Sequence, residues 1–273
     1  MTIVLKIGGA KAVDPEGALD DIVHLSTQGN SLIIVHGGST TIDENLEQMG
    51  ISPNYVETPA GVVGRFTDEA TMKVFTMTMA GLLNTNLVVK LQNLNINAVG
   101  LSGVDGRLLH GPRKDSIRTI ENGKKKILRG DHSGKITSVN TDLIQLLLDN
   151  GYLPVISPPM LADDGVAVNT DADRVSSSLA GSLSATLVSL TDVSGIYRDI
   201  SDPNTLISHA KTPEQYSILQ NAAEGFMTRK LMAATDALQQ GAEKAIIASA
   251  NEEQPLLSAL NGGGTHIYPG AIL

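Results

Sequence analysis

Two apolar runs, each ending in a pair of glycines, constrain the fold of this chain most strongly. The first is Ile3-Val4-Leu5-Lys6-Ile7 before Gly8-Gly9, and the second is Leu32-Ile33-Ile34-Val35-His36 before Gly37-Gly38. Each run predicts a buried strand that opens into a turn with bare backbone amides, and such a turn ahead of a helix is suited to bind an anion. Lys6 adds a cation inside the first strand. We therefore expect the chain to bind a strongly negative group, such as a phosphoryl group.

Short apolar strands alternate with amphipathic helical stretches, a pattern typical of an α/β fold with a largely parallel sheet. Helices are predicted over residues 15–27, 41–49, 68–94 with a break near Gly81, 141–150, 171–183 and 229–240. Strands are predicted over 98–101, 153–157, 185–190 and 244–248, and antiparallel strands over 108–135 with a turn at Glu121-Asn122-Gly123. We expect Pro158-Pro159 to stop the strand that precedes it.

Composition excludes several classes of protein. The 273 residues include no cysteine, which excludes disulfides and thiolate metal sites and favours a cytoplasmic location. The net charge of −9 argues against general binding of nucleic acid. No uninterrupted apolar run approaches the roughly 20 residues of a membrane span, and Met1 leads straight into a strand, so we expect neither a membrane anchor nor a signal peptide.

The charge is distributed unevenly along the chain. Segment 113–135 carries eight basic and three acidic side chains, a local net charge of +5 in a chain that is acidic as a whole. The simplest explanation is a solvated hairpin whose lysines aid solubility. The alternative is a surface that binds an acidic partner.

Four patches place glycines, lysines and acidic residues where strands end and helices begin. They are Lys6-Ile7-Gly8-Gly9, His36-Gly37-Gly38-Ser39, Asn169-Thr170-Asp171-Ala172-Asp173 and Phe226-Met227-Thr228-Arg229-Lys230. Taken singly, each is explained by a turn, a solvated lysine or an acid in the first turn of a helix. Taken together, with a lysine inside an apolar strand, they favour a ligand site, because ligands of α/β sheets bind at the carboxyl ends of the strands.

The order of these motifs resembles the amino acid kinase family, in the branch of the acetylglutamate kinases, and the resemblance covers essentially the whole chain. The further motifs that carry it are Arg65-Phe66-Thr67-Asp68, Gly100-Leu101-Ser102-Gly103-Val104-Asp105-Gly106 and Leu190-Thr191-Asp192-Val193-Ser194-Gly195. Phe226 stands where the family usually has glycine. The resemblance implies a three-layer α/β/α sandwich with two lobes. Residues 1–175 would form the acceptor-binding lobe, with the basic hairpin 108–135, and residues 176–273 the nucleotide-binding lobe.

The resemblance also implies transfer of the γ-phosphoryl group of ATP to a side-chain carboxylate, giving an acyl phosphate. Lys6 and Lys230 would stabilise the transferring group and Asp173 would hold both lysines. The nucleotide would contact Gly8, Gly9, Thr191, Asp192, Val193, Gly195 and Ile196. The acceptor would contact Gly37, Gly38, Ser39, Arg65 and Asn169, with Arg65 on its α-carboxylate. Mg²⁺ is implied as an ion that arrives with ATP, without a dedicated protein site, and His36 is expected to be structural.

Departures from the usual motifs resemble kinases that act on 2-aminoadipate attached to an acidic amino-group carrier protein in lysine biosynthesis. They are Ser39 in place of a third glycine, the residues of segment 61–67, the basic hairpin and Arg229. The carrier would dock on Lys124, Lys125, Lys126, Arg129 and Lys135. Carrier-linked glutamate, of arginine biosynthesis, stays open as a second acceptor. So do two other functions: a plain acetylglutamate kinase and a non-catalytic amino-acid sensor. The resemblance further implies a homodimer and no feedback regulation by arginine.

Overall fold

A computed structural model describes residues 1–8, 16–59, 61, 63–121 and 124–272. For Glu121 and Phe226 it describes the backbone and not the side chain. Gly9 therefore lies outside the described residues, as do Asn122 and Gly123 of the predicted turn.

Strands in this part of the chain fall into one eleven-stranded sheet and two two-stranded hairpins. They are β1 (Thr2–Ile7), β2 (Ser31–His36), β3 (Tyr55–Glu57), β4 (Val63–Arg65), β5 (Ala98–Gly103), β6 (Leu109–Gly111), β7 (Arg113–Glu121), β8 (Lys124–Gly134), β9 (Ser138–Val139), β10 (Leu153–Ala162), β11 (Ala167–Val168), β12 (Thr186–Thr191), β13 (His209–Ala210), β14 (Lys244–Ser249) and β15 (Thr265–Ile267). The hairpins pair β3 with β4 and β7 with β8.

Helices alternate with these strands. They are α1 (Glu16–Thr27), α2 (Ser39–Gln48), α3 (Glu69–Thr76), α4 (Asn84–Asn93), α5 (Thr141–Asp149), α6 (Ala172–Ser182), α7 (Pro213–Ala222), α8 (Phe226–Gln239) and α9 (Pro255–Leu260). A π-helical segment, Met77–Leu83, joins α3 to α4, so the break predicted near Gly81 is a widened turn within one continuous helix. Helices α7 and α9 and strands β13 and β15 were not predicted, because they are short and carry weak hydrophobic periodicity.

The sheet is largely parallel, with β1 near its centre. Its order is β13-β15-β14-β12-β1-β2-β10-β6-β9, and β5 and β11 also pair with β10. Side chains alternate across the pleat, so β1 supplies Val4 to one face and Ile3 and Leu5 to the other. The first face packs against α6 and α8, and the second against α1, α4 and α9. The predicted three-layer α/β/α sandwich is confirmed.

Strand β10 continues through the two prolines that were expected to end it, so that prediction is wrong. Up to Ser157 it pairs with β5 and β2, and from Met160 onward it pairs with β11 and β6. Pro158 and Pro159 lie in the interval where the neighbouring strands change. Their missing N–H groups are therefore not required by any of these ladders.

The basic hairpin is shorter than the stretch 108–135. It comprises β7 and β8, whereas Leu109–Gly111 lies in the central sheet, parallel to β10 and antiparallel to β9. Gly111 ends β6. Its φ of 158° is one that L side chains rarely adopt, and a Cβ there would lie 2.1 Å from the Lys135 carbonyl oxygen, so this close approach requires glycine.

The continuous helical segment Glu69–Asn93 has the length and apolar composition of a helix able to cross a membrane. Counting uninterrupted apolar runs did not detect it, because polar residues interrupt its sequence. Its buried side chains include Met72, Phe75, Met79 and Leu91, which belong to the protein's own hydrophobic clusters.

Candidate active site

The predicted motifs converge at the carboxyl ends of the central parallel strands. Ile7 of β1 is in register with His36 of β2 on one side and with Leu190 of β12 on the other. The segments that follow these three strands therefore leave the same edge of the sheet. The N-terminus of α6, which packs against β1 and β2, faces them. This is the position where open α/β sheets bind ligands.

Lys6, which is buried, and Asp173, which is partly exposed, form an ion pair at this edge. Lys6 Nζ lies 2.9 Å from Asp173 Oδ1, and Lys6 is only 5% exposed. Asp171, two residues earlier, has a different role, since its carboxylate accepts a hydrogen bond from the Arg174 backbone N–H and caps α6. Of the two acids in this motif, one is therefore an ordinary cap and the other is the partner of the strand lysine.

Lys230, at the start of α8, lies against the same pair. Burial and the repulsion from Lys6 lower the pKa of Lys230 to about 8, although Asp173 and Asp192 oppose the shift. Burial on its own would raise the pKa of Asp173, but the charges of Lys6 and Lys230 outweigh it and lower that pKa overall. Arg229 adds a further positive charge near Asp173. Three cations thus surround two carboxylates, and this excess favours an anionic ligand.

The turn after β12 is held in a fixed conformation. Thr191 Oγ1 donates to Asp192 Oδ1 at 2.9 Å, and Ile196 N donates to Thr265 Oγ1 at 2.9 Å. A Cβ on Gly195 would lie 2.6 Å from Thr265 Oγ1, and the φ of 151° also disfavours larger residues. The motif therefore presents the backbone of 191–196 beside Lys230.

A second cluster centres on Arg65. Its Nη2 donates to Asp43 Oδ1 at 2.7 Å, to the Tyr55 hydroxyl at 2.9 Å and to the Ser39 carbonyl at 3.1 Å. Tyr55 in turn donates to Asp43 Oδ2, and the Arg65 guanidinium lies 5.3 Å from its ring centroid. Arg65 is thus fixed beside the N-terminus of α2. Its predicted contact with an acceptor carboxylate stays a prediction.

Asn169 joins the same side of the site through Thr67. Its Nδ2 donates to Thr67 Oγ1 at 3.0 Å, and Thr67 is completely buried. Asp68 accepts from the Thr71 backbone N–H and caps α3. In the Arg65-Phe66-Thr67-Asp68 motif, Arg65 therefore supplies a guanidinium, Thr67 a buried hydroxyl and Asp68 a helix cap.

In the second patch, Gly38 is required by the close approach of neighbouring side chains. Gly38 is the N-cap residue of α2, and a Cβ there would lie 2.3 Å from Leu83 Cδ1 and 2.6 Å from Met79 Sδ. Gly37 N donates to the Ile7 carbonyl at 3.0 Å, which ties the two glycine turns together. Gly8 follows β1 at the same edge. The predicted contacts, of Gly8 with the nucleotide and of Gly37 and Gly38 with the acceptor, stay predictions.

His36 is a neutral structural residue. Burial lowers its pKa to about 4, although a hydrogen bond to the Gly37 carbonyl opposes the shift. Its Nε2 lies 3.2 Å from Asn84 Nδ2, which also donates to the Val155 carbonyl at 2.9 Å. An uncharged imidazole that is hydrogen-bonded on both nitrogens fits the structural role expected for it.

The hairpin sorts its basic residues onto two faces. Arg118 pairs with Ile127, Ile120 with Lys125, and Ser116 with Arg129, so these six side chains share one face. That face is exposed, and Ile127 is 57% accessible. The opposite face holds Lys124 and Lys126, as well as Thr119, which is buried and donates to the Glu57 carbonyl. Lys135 follows the end of β8 and is exposed.

Sequence reasoning missed several residues of the site. Asp43 and Tyr55 hold Arg65, Asn84 holds His36, and Asp131 is a fully buried carboxylate. Ser189 lies in register with Lys6 on the same face of the sheet, and its buried Oγ has no hydrogen-bond partner among the described residues. Only Ser189 left a signal, as a lone hydroxyl in the apolar run 187–190.

Fold and site together define a class of protein: an α/β/α sandwich with a cationic centre at the carboxyl ends of its parallel strands. The amino acid kinase family matches this chain over residues 1–249. The chain belongs to the amino acid kinase family, as its motifs predicted.

Named relatives span most of the chain. It is 42% identical over 264 residues to "[LysW]-aminoadipate kinase" of Deinococcus radiodurans, covering 96% of this chain and 90% of that protein. It is 36% identical over 262 residues to "Putative [LysW]-aminoadipate/[LysW]-glutamate kinase" of Cenarchaeum symbiosum, covering 94% of this chain and 96% of that protein. It is 36% identical over 265 residues to "Acetylglutamate kinase" of Methanopyrus kandleri, covering 96% of this chain and 98% of that protein.

Solved structures share the fold. N-acetylglutamate synthase from Neisseria gonorrhoeae superposes with a TM-score of 0.77 at 24% identity, and the match covers 98% of this chain and 59% of that one. At this identity the likeness establishes the fold alone.

Proposed function

We propose that this protein transfers the γ-phosphoryl group of ATP to the side-chain carboxylate of 2-aminoadipate carried on an acidic amino-group carrier protein, in lysine biosynthesis. Carrier-linked glutamate, of arginine biosynthesis, is a close variant, because the two acceptors differ by one methylene. The observation that carries the proposal is the exposed basic face of the hairpin in an otherwise acidic chain, together with the 42% identity to a kinase named for such an acceptor. A cytoplasmic location stays a prediction.

The chemistry requires charge stabilisation more than proton transfer. An acceptor carboxylate oxygen attacks the γ-phosphorus, the bond to the β–γ bridging oxygen breaks, and ADP leaves with that electron pair. The nucleophile is already ionised, so no general base is needed. The obstacle is the approach of two anions, which Lys6 and Lys230 would offset, with Asp173 holding the two cations in place.

Mg²⁺ would enter bound to the nucleotide. Among the described residues, no group of three or more His, Cys, Asp or Glu side chains is arranged to hold a metal. The carboxylates of the site, Asp173 and Asp192, lie beside lysines instead. This donor set fits an ion held mainly by phosphate oxygens, whose chemistry is to neutralise the β- and γ-phosphates.

An acceptor panel tests the proposed function. ATP-Mg is supplied with carrier-linked 2-aminoadipate, with carrier-linked glutamate or with free N-acetylglutamate, and the acyl phosphate is trapped with hydroxylamine. We expect turnover of the carrier-linked acceptors. Turnover of N-acetylglutamate alone would make the protein a plain acetylglutamate kinase, and no turnover of any acceptor would favour a non-catalytic sensor. One methylene is worth only about 1–3 kcal/mol in a pocket, so both carrier-linked acceptors are expected to react.

Two matched hairpin variants accompany the panel. Lys125→Glu/Arg129→Glu reverses two charges on the outward face, and Lys124→Glu/Lys126→Glu reverses two on the other face with the same change in net charge. The first variant is expected to raise the apparent KM for the carrier-linked acceptor about 10-fold and to weaken its salt dependence, with kcat unchanged. Equal effects of the two variants would indicate that the carrier responds to the net charge of the hairpin rather than to one docking face.

We also infer a homodimer formed through the acceptor lobe. Met49, Met77 and Leu82 are each about half exposed and line a shallow cavity of about 260 Å³ between α2 and the π-helical segment. Clustered apolar side chains of this kind favour a protein contact. Sedimentation velocity is expected to give a dimer for the native protein and a monomer for Met77→Asp/Leu82→Asp. A native monomer at micromolar concentration would overturn the inference.

A further inference from the structure

Asp131 lies near the end of β8 and is fully buried. Residues 131–134, the last of β8, form the root of the basic hairpin. Neither the hairpin's docking role nor the phosphoryl-transfer chemistry uses this carboxylate. A buried carboxylate is retained at a cost in solvation unless hydrogen bonds compensate it, so its partners indicate what it does.

Asp131 bridges two separate parts of the chain. Its Oδ1 accepts from the Thr67 backbone N–H at 3.0 Å, while its Oδ2 accepts from the Ser133 backbone N–H at 3.1 Å and from the Ser133 hydroxyl. One oxygen thus holds the segment that carries Arg65, and the other holds the hairpin strand. Arg113, at the start of the partner strand, donates from Nε to the Asp131 carbonyl at 2.8 Å.

Backbone hydrogen bonds extend this junction to Asn169. His132 N donates to the Thr67 carbonyl at 2.7 Å, and Asn169 N donates to the His132 carbonyl at 2.6 Å. Gly134 N donates to the Asn169 carbonyl at 2.9 Å, and Asn169 Nδ2 returns to Thr67 Oγ1 at 3.0 Å. Hairpin root, Thr67 and Asn169 therefore form one closed network.

We propose that Asp131 is a positioning residue that couples the orientation of the basic hairpin to the acceptor-binding segment containing Arg65, Thr67 and Asn169. A carrier bound to the hairpin face then delivers its acceptor to a segment already aligned with that hairpin. The proposal rests on the proposed function for its catalytic consequence, but the mechanical link is a property of the free protein.

The chemistry of asparagine makes Asp131→Asn an incisive variant. Each carboxylate oxygen receives backbone N–H donors, and an amide accepts on only one side. Its NH₂ group would therefore face a donor at either Thr67 or Ser133, which loses one half of the bridge. Asp115→Asn, at an exposed carboxylate on β7, is the matched control. Ser133→Ala removes only the hydroxyl donor and serves if Asp131→Asn does not fold.

Two measurements test the coupling. With carrier-linked 2-aminoadipate, Asp131→Asn is expected to lower kcat about 10-fold, while the Kd of fluorescently labelled carrier changes less than about 2-fold, because the docking face is intact. Asp115→Asn is expected to change neither. Loss of carrier binding in step with kcat, or unchanged kcat, would overturn the proposal.

Hydrogen–deuterium exchange of the free protein decides the link independently of the acceptor. Asp131→Asn is expected to speed exchange both in the hairpin root and in peptides that contain Thr67 and Asn169. Faster exchange confined to 131–134 would refute the coupling. If the native protein ignores carrier-linked acceptors, the proposed function fails, and the exchange experiment still decides whether Asp131 joins the two segments.

Discussion

Replacing Lys6 with methionine is expected to lower kcat for phosphoryl transfer by about 100- to 1000-fold, as is typical when one preorganised charge is removed from a developing anion. Lys6 is buried in β1, 2.9 Å from Asp173, so its ammonium group is held without freedom to move into solvent. Methionine keeps an unbranched apolar side chain that is one atom shorter, and it removes the charge. The measurement is hydroxylamine trapping of the acyl phosphate at saturating ATP and acceptor.

The control is Lys73→Met, an exposed lysine on α3 whose partner is Glu69 in the preceding turn. It is expected to leave kcat unchanged. Removing Lys6 leaves Asp173 with Lys230 and Arg229 as nearby cations, so the variant should stay folded, which circular dichroism checks. A Lys6→Met protein that is folded and retains native kcat would contradict the assignment of Lys6 to the transferring phosphoryl group.

Lys230 is expected to give the reaction a characteristic alkaline limit. Because the pKa of Lys230 in the free protein is lowered to about 8, the ammonium form dominates below that pH and is lost above it. The value of kcat/KM for ATP, which reports the free enzyme, should therefore fall about 10-fold per pH unit above pH 8. Bound phosphate favours the charged lysine, so the fall in kcat itself should lie at higher pH.

Two variants separate this lysine from other groups that titrate. Lys230→Arg stays charged throughout this range and should abolish the alkaline fall, although its different geometry lowers the rate at pH 7. Lys230→Met should lower kcat/KM for ATP about 100-fold or more below pH 8 and should show no alkaline fall. A native profile that is flat to pH 10, or an unchanged fall in Lys230→Arg, would show that this ammonium group is not the one that titrates.

Much of the fold follows from local pattern. The apolar run around Lys6 and the run before His36 are strands as predicted, and the hydrophobic periodicity places α1, α5 and α6 within a few residues of their observed bounds. The error at Pro158-Pro159 has a physical cause: whether a proline ends a strand depends on which neighbour it faces. That neighbour is a property of the sheet, because β5 and β2 give way to β11 and β6 at that point.

The candidate site was predictable as a set of residue types rather than as a set of contacts. Lys6, Asp173 and Lys230 were placed together through their motifs, and the structure brings them together. The pairs Arg65 with Asp43 and Thr67 with Asp131 join residues 22 and 64 positions apart. No periodicity connects such positions, so these contacts were missed.

The sequence by itself determined the alternation of strands and helices and the lysine buried in the first strand, because each depends on residue types within one local window. It also determined the local charge of the hairpin. Only the tertiary structure decided which basic side chains share the exposed hairpin face, and which buried carboxylate ties its root to Asn169. Those outcomes depend on cross-strand register and on contacts between distant segments, which form only when the whole sheet is assembled.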